Sequence, residues 1–315
     1  MAISRNIKPD RGLTYRMLMT GFFLVVLYGA VIGILIAVGL SFALVLVIAF
    51  VLLFCQYWFS AKIAMYAMHA KEVTPEQAPE LHGVVDRLCA LADMPKPKVA
   101  VATTDIPNAF ATGRSPKSAV VCVTSGLLRR LDEPEIEAVL SHELSHVAHR
   151  DVAVMTIASG LGMIAGLLTR VLFYSELFGG GRGGGNNNQS QAALVEMIVL
   201  LVSVVVYFVS YLLTMALSRY RELAADRSGA LLIGRPSLLA SALVKITGEM
   251  GRIPTRDLRA AEPVNAFFFT PAVASKATQG GGGGFSFGQL FQTHPTLERR
   301  LAQLEQLEHQ LGQAS

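Results

Sequence analysis

The chain has 315 residues, of which 52% are apolar and only 16% charged, with a mean hydropathy of +0.46. That balance is too apolar for a soluble globular chain of this length and places much of it in a lipid bilayer. The net charge of +4 and pI near 9.0 suit an anionic inner leaflet, while the absence of a basic stripe with interleaved aromatics excludes a nucleic-acid partner.

Taken in order, the chain begins with Arg5, Lys8, Arg11 and Arg16, after which no residue from Met17 to Phe59 is charged. At about 20 helical residues per crossing this run holds two spans, with Gly39-Leu40-Ser41 as the turn. A signal peptide is the alternative, but the run is too long and has no convincing cleavage site, so it is expected to be retained. Lys62 and Lys71 follow it and the turn is uncharged, which puts both flanks in the cytosol.

A soluble insert follows, from about Ala61 to Arg130. Leu81–Leu91 predicts a helix; Val99–Thr103 and Ala119–Thr124 predict short strands that pair as a hairpin in a small mixed sheet, with Asn108–Gly113 between them. The hairpin reads equally as a shelf for an extended substrate or as ordinary framework with Phe110 in the core.

Next comes a helix with start signals at Asp132 and Pro134, acids at Glu133, Glu135 and Glu137, and a buried stripe at Ile136, Val139 and Leu140. It carries Ser-His-Glu-Leu-Ser-His from 141 to 146. His142 and His146 are four apart and project from one helix face, where a single ion takes a nitrogen from each, and Glu143 is placed as a general base toward bound water. The competing reading is a chance pattern with histidines packed in a core. His149 is a possible rival ligand, although His149-Arg150-Asp151 reads more simply as the close of the helix.

Apolar runs at Val152–Phe173 and Ala192–Leu217 predict a third and fourth span. Ala158, Gly162 and Gly166 form a ridge for close helix approach, and Arg170 and Glu196 lie near interfaces. The Gly/Asn-rich stretch 179–190 predicts a loop between these spans. Beyond them, Glu222 and Asp226 are again four apart on a helical segment. Alone they read as a solvated face with Glu222 paired to Arg219 or Arg221. Beside the two histidines, Glu222 becomes the third ligand of a catalytic Zn2+ site with an open position, and Asp226 the acid that holds a ligand imidazole. Two crossings separate the half-sites, so both emerge on one side of the membrane.

Gly280–Gly284 and Phe285–Phe291 read as a linker or a flap, and Leu297, Leu301, Leu304, Leu307 and Leu311 predict a docked C-terminal helix. Cys55, Cys89 and Cys122 have no paired spacing and are expected to stay reduced; His69, His82 and His309 read as surface or packing residues. The expected fold class is α+β and mainly helical, with four transmembrane helices and a cytosolic zincin-like domain containing a small sheet. The divisions are a hairpin at 1–60, a first protease part at 61–151, a second span pair at 152–217 and a second protease part at 218–315.

Jointly, His-Glu-Leu-Ser-His-Val-Ala-His-Arg-Asp at 142–151, Arg-Glu-Leu-Ala-Ala-Asp at 221–226, Asn-Ala-Phe-Ala-Thr-Gly from 108 and Thr-His-Pro from 293 resemble the HtpX family of bacterial membrane zinc proteases, over essentially the whole chain. The resemblance implies a gluzincin-type endopeptidase of the inner membrane, linked to heat or envelope stress, that cleaves damaged or misfolded membrane proteins. It implies zinc ligation by His142, His146 and Glu222, Glu143 as base and Asp226 as supporting acid. His294 and Arg300 match positions that, in related eukaryotic enzymes, approach the active site to stabilise the tetrahedral intermediate, and Asn108 is a further candidate. Those prenyl-protein proteases have more spans than this chain, which argues against prenylated substrates. Two rival classes are a non-catalytic membrane adaptor with a zinc site, which would be expected to close the metal with four ligands, and an intramembrane protease, which the charges around 135–151 oppose.

Overall fold

The structure is a computed structural model and describes residues 11–37, 42–160, 162, 166, 187–250 and 292–314. It is mainly helical, with one small mixed sheet. Helices α1 (Arg11–Ala37) and α2 (Phe42–Ala67) come first, each about 40 Å long at 1.5 Å per residue. After them come β1 (Ala70–Glu72), α3 (Pro79–Ala92), β2 (Lys98–Ala102), β3 (Ala109–Thr112), β4 (Val120–Thr124) and the short α4 (Ser125–Leu128). Helices α5 (Glu133–Ala148), α6 (Asp151–Gly160), α7 (Asn187–Ile233), α8 (Pro236–Met250) and α9 (Leu297–Ala314) complete the described chain.

The sheet order is β1-β2-β4-β3. The expected hairpin is corrected here: β2 and β4 run parallel, with Val99 opposite Val121, and the segment between them forms β3 on the far side of β4. Branched side chains report extended backbone but not its direction, and a parallel pair needs just such a crossover connection. Strand β1, Ala-Lys-Glu, has no apolar alternation and gave no signal.

Every residue of β4, Val-Val-Cys-Val-Thr, is buried, so the strand is covered on both faces. On one face Val121 and Val123 join Leu88 of α3, Leu140 and Leu144 of α5, Leu243 and Ile246 of α8, and Leu304 and Leu307 of α9. The C-terminal leucine stripe is therefore a docked face, each buried leucine contributing about 1.5–3 kcal/mol. On the other face Phe110, Val120 and Cys122 pack against Ala64 and Met68 at the end of α2. Helix α5 is enclosed by this soluble core, and Arg87 of α3 donates to its Glu137 at 2.9 Å, so the motif helix is not a membrane span.

Helix α7 carries the apolar run to Leu217 and the Glu222 segment together. It is one helix of 47 residues, about 70 Å long, with no proline inside it. It starts at Asn187, so the expected loop does not extend to residue 190. It ends at Gly234, which adopts φ +69 and donates its N–H to Ala230 O at 2.9 Å, with Pro236 two residues on. The small-residue ridge lies against it: Thr214 donates to Ala158 O at 3.2 Å, and a Cβ at Gly162 would stand 3.2 Å from Ser210 Oγ. Leu24 of α1 joins Ala158 and Leu217 in the same cluster.

Away from these contacts, α1, α2 and α7 present Phe22, Phe23, Phe50, Val204 and Phe208 outward. Among the described residues one helical stretch, Leu200–Ile233, is long and apolar enough by itself to cross a bilayer. The turn at 39–41, the expected third span beyond 160 with Arg170, most of the Gly/Asn-rich stretch and 251–291 with its Gly280–Gly284 run lie outside the described residues.

Candidate active site

Helix α5 is set by its own sequence. Asp132 is the N-cap; its N–H donates to Glu135 Oε2 at 3.1 Å, and Glu135 in turn accepts from Ser241 at 2.7 Å and Lys245 at 2.8 Å of α8. This fixed start determines where the next turns face. His142 and His146 meet edge to face, with their Nε2 atoms 3.1 Å apart.

Glu222, Asp226 and Gly229 occupy one stripe of α7, at spacings of four and three, and that stripe crosses α5. Gly229 makes the close approach possible: a Cβ there would lie 2.7 Å from His142 N and 2.9 Å from its Cα. Ser141 Oγ donates to Gly229 O at 3.2 Å across the same crossing. Glu222 is thereby brought to 3.7 Å from His142 Nε2 and 3.4 Å from His146 Nε2. It is buried, and of the two arginines that could have paired with it on a solvated face, Arg221 bonds Asp151 and Arg219 donates to Gln292 O.

Each imidazole is backed by a carboxylate. Asp226 Oδ1 lies 2.8 Å from His142 Nδ1, and Arg300 grips Asp226 with two hydrogen bonds of 2.7 and 2.6 Å. Asp151 Oδ2 lies 2.6 Å from His146 Nδ1 and is ion-paired to Arg221. An ionised carboxylate only accepts, so both Nδ1 atoms carry the proton and both Nε2 atoms present lone pairs to each other. Two acceptors at hydrogen-bond distance, with a carboxylate beside them, need a cation between them. His142, His146 and Glu222 place one ligand atom each within 4.8 Å of one another, and the donor set of two nitrogens and one oxygen suits a divalent metal.

Glu143 sits beside this cluster, 4% exposed, and burial raises its carboxyl from 4.5 to about 8, with the neighbouring Glu222 carboxylate adding to the rise. The Ala111 N–H of β3 donates to it. Burial likewise lowers His142 to about 4, with Asp226 opposing. Thr124 N–H donates to Asn108 O, which places the peptide groups of Ala109 and Ala111 on the outer edge of the sheet, where no further strand pairs among the described residues. A cavity of about 490 Å3 joins this edge, the histidines, Glu143 and Glu222 to Ile63 of α2, Met155 of α6 and Met215 of α7.

Not every expected residue faces that cavity. His294 does, with Nδ1 3.2 Å from Glu222 Oε2. Arg300 does not line it; the residue is buried behind Asp226, where the guanidinium neutralises that acid. Asn108 is buried one residue ahead of β3 and is also outside the cavity lining; its N–H donates to Thr124 Oγ1 at 2.9 Å. His149 caps the C-terminus of α5 with an exposed side chain and is not in the ligand cluster. Sequence reasoning missed Asp151, Arg221 and Gly229. A signal existed for two of them: Arg221 adjoins Glu222, and Asp151 lies five residues past His146.

The model of peptidase family M48 matches residues 75–308, a stretch that contains both histidines, Glu143, Glu222 and Asp226. The chain belongs to that family. It is therefore a metalloprotease, a hydrolase, which removes the adaptor reading. M48 membership also implies a divalent metal, usually zinc, and association with a membrane. A relative named Protease HtpX homolog 1, from Streptomyces coelicolor, is 56% identical over 98% of this chain and 97% of its own. Another, named Protease HtpX homolog, from Moorella thermoacetica, is 50% identical over 98% of both chains. The crystal structure of S. mikatae Ste24p aligns with 94% of this chain and 66% of its own at 15% identity and a TM-score of 0.49, a likeness too loose to carry an argument.

Proposed function

We propose that this M48 peptidase is a multi-pass inner-membrane zinc endopeptidase, with four crossings and its catalytic domain in the cytosol, that cleaves damaged or misfolded membrane proteins under envelope stress. The outward aromatic and branched residues of α1, α2 and α7 support the bilayer setting, and the basic residues flanking the first apolar run support the orientation. The proposed organisation is a hairpin at 1–60, protease parts at 61–151 and 218–315, and a second span pair at 152–217. The observation that carries the enzymatic part is the pair of facing Nε2 lone pairs beside Glu222, opening on a cavity shared with Glu143 and a sheet edge.

In this reading His142, His146 and Glu222 hold the zinc, which when bound polarises a peptide carbonyl and acidifies water. Glu143 accepts the proton of the attacking water and returns it to the leaving amine. The outer edge of β3 holds the substrate as an added strand through the peptide groups of Ala109 and Ala111, extended chain being what an unfolded segment offers. His294, its Nδ1 3.2 Å from Glu222 Oε2, supplies a donor toward the carbonyl oxygen. Asp226, with Arg300 behind it, keeps Nε2 of His142 unprotonated, and Asn108 secures the start of the edge strand. The lower cavity, between α2, α6 and α7, is apolar and suits side chains drawn from a membrane segment.

The test is Glu143→Gln in detergent-purified full-length protein. Zinc content measured by elemental analysis should stay at the parent level while cleavage of an unfolded protein substrate falls by about 10²–10⁴-fold; undiminished cleavage would reject the base assignment.

A further inference from the structure

The support behind His146 is assigned by nothing in the motif, and three observations define it. First, α5 ends with Arg150 in the left-handed region, φ +56, its N–H donating to Val147 O at 3.1 Å. A non-glycine residue rarely adopts that conformation, and here it turns the chain sharply enough to bring Asp151, the first residue of α6, back to a histidine five positions earlier. Second, Asp151 Oδ2 stands 2.6 Å from His146 Nδ1 while its other oxygen faces Arg221. Third, both partners are nearly buried, Asp151 at 8% exposure and Arg221 at 6%, so the pair is not a solvated surface contact. His146 itself is the less enclosed of the two imidazoles, its side chain 17% exposed against 1% for His142, so packing alone restrains it less.

We propose that Asp151 is the positioning residue for His146, fixing its tautomer and ring angle toward the metal, and that Arg221 holds Asp151 in that role, so that each ligand histidine has its own carboxylate–arginine pair. The inference rests on the reading of His146 as a metal ligand. Arg221 adjoins Glu222, so the same contact ties the α7 ligand to the turn after α5, and a displacement of Asp151 disturbs two ligands together. A carboxylate in this position raises the basicity of the imidazole it holds, and its removal typically weakens metal binding by about 10–100-fold.

The experiment uses full-length detergent-purified protein and measures zinc affinity by competition with a fluorescent chelator, together with the unfolding midpoint of the chelated protein. Asp151→Asn should weaken zinc binding about 10–100-fold, Arg221→Gln less, and the double variant no more than Asp151→Asn alone, because Arg221 acts through Asp151. Asp151→Glu should recover part of the loss. A zinc affinity within twofold of the parent for Asp151→Asn, even with a lowered midpoint for the chelated protein, would make the pair a structural joint between helices and overturn the proposal. His146→Ala is the control for the underlying reading: unchanged zinc affinity there would remove His146 from the ligand set, whereas a lost zinc site with an unaffected Asp151→Asn would sink the positioning role alone.

Discussion

Two regions of this molecule obey opposite rules. Around the sheet, valines and leucines point inward and charges outward, with ion pairs such as Lys98 with Glu72 in the open. Along α1, α2 and the N-terminal part of α7, the large apolar residues point outward: Leu18, Phe50 and Leu201 are each at least 65% exposed. The candidate metal cluster lies where the two meet, and α7 runs through both, apolar at Leu200 and carrying Glu222 about six turns later. The difference teaches that burial is relative to the surrounding solvent. An exposed phenylalanine in a bilayer costs nothing, whereas the acids and arginines at the junction are withdrawn from water and lipid alike and must satisfy one another.

That contrast can be broken most severely at the junction. Arg300→Ala leaves Asp226 buried without its cation and should cost about 3–5 kcal/mol, read as a lower unfolding midpoint in detergent; a change within 1 kcal/mol would mean that the pair is dispensable. A second effect of a few kcal/mol concerns Glu143 in chelated protein. Its carboxyl, usually at 4.5, stands near 8 in the fold, so between those values the folded chain keeps a proton that the unfolded chain has released. Stability should fall as pH rises through that window, and Glu143→Gln should flatten the decline, gaining most above pH 8 and little near pH 5. Parallel pH curves for the two proteins would contradict this.

On the apolar side, Val204→Arg places a charge on the outward face of α7 and should disfavour membrane insertion by about 2.5–3.5 kcal/mol if that face meets lipid; insertion equal to the parent would show that it meets water. The smallest effect sharpens the boundary itself. Gly229→Ala drives a methyl to 2.7 Å from His142 N and should cost about 1–3 kcal/mol while weakening zinc affinity, since the backbones cannot separate without carrying Glu222 away. An alanine variant with parental zinc affinity would show that the crossing has slack.

Much of the site was legible because its residues lie close in sequence or at helical spacing. His142, Glu143 and His146 occupy two turns of one helix, and Glu222 with Asp226 repeats the same spacing, so periodicity alone groups them. Where Arg300 stands was not legible: no sequence pattern says whether a guanidinium points at the cavity or at the acid beside a histidine, and here it pairs with Asp226. Asp151 was read as part of a helix ending, because its role depends on the left-handed turn at Arg150, which nothing in the side-chain pattern announces. The sheet divides in the same way. β2 and β4 were evident from branched residues, but their parallel course and the edge position of β3 were not, since strand propensity is blind to direction.

By itself the sequence determined that this chain is largely apolar, that it carries two histidines and a glutamate at metal-ligand spacing with an adjacent acid, and that its C-terminal leucines form an apolar stripe, because composition and periodicity are local properties written in the order of residues. Only the tertiary structure decided how near α7 comes to α5, which carboxylate and arginine stand behind each imidazole, and which strand edge borders the cavity. Those depend on a glycine contact between helices 87 residues apart and on one backbone turn, and contacts over such distances are set by the packing of the whole chain.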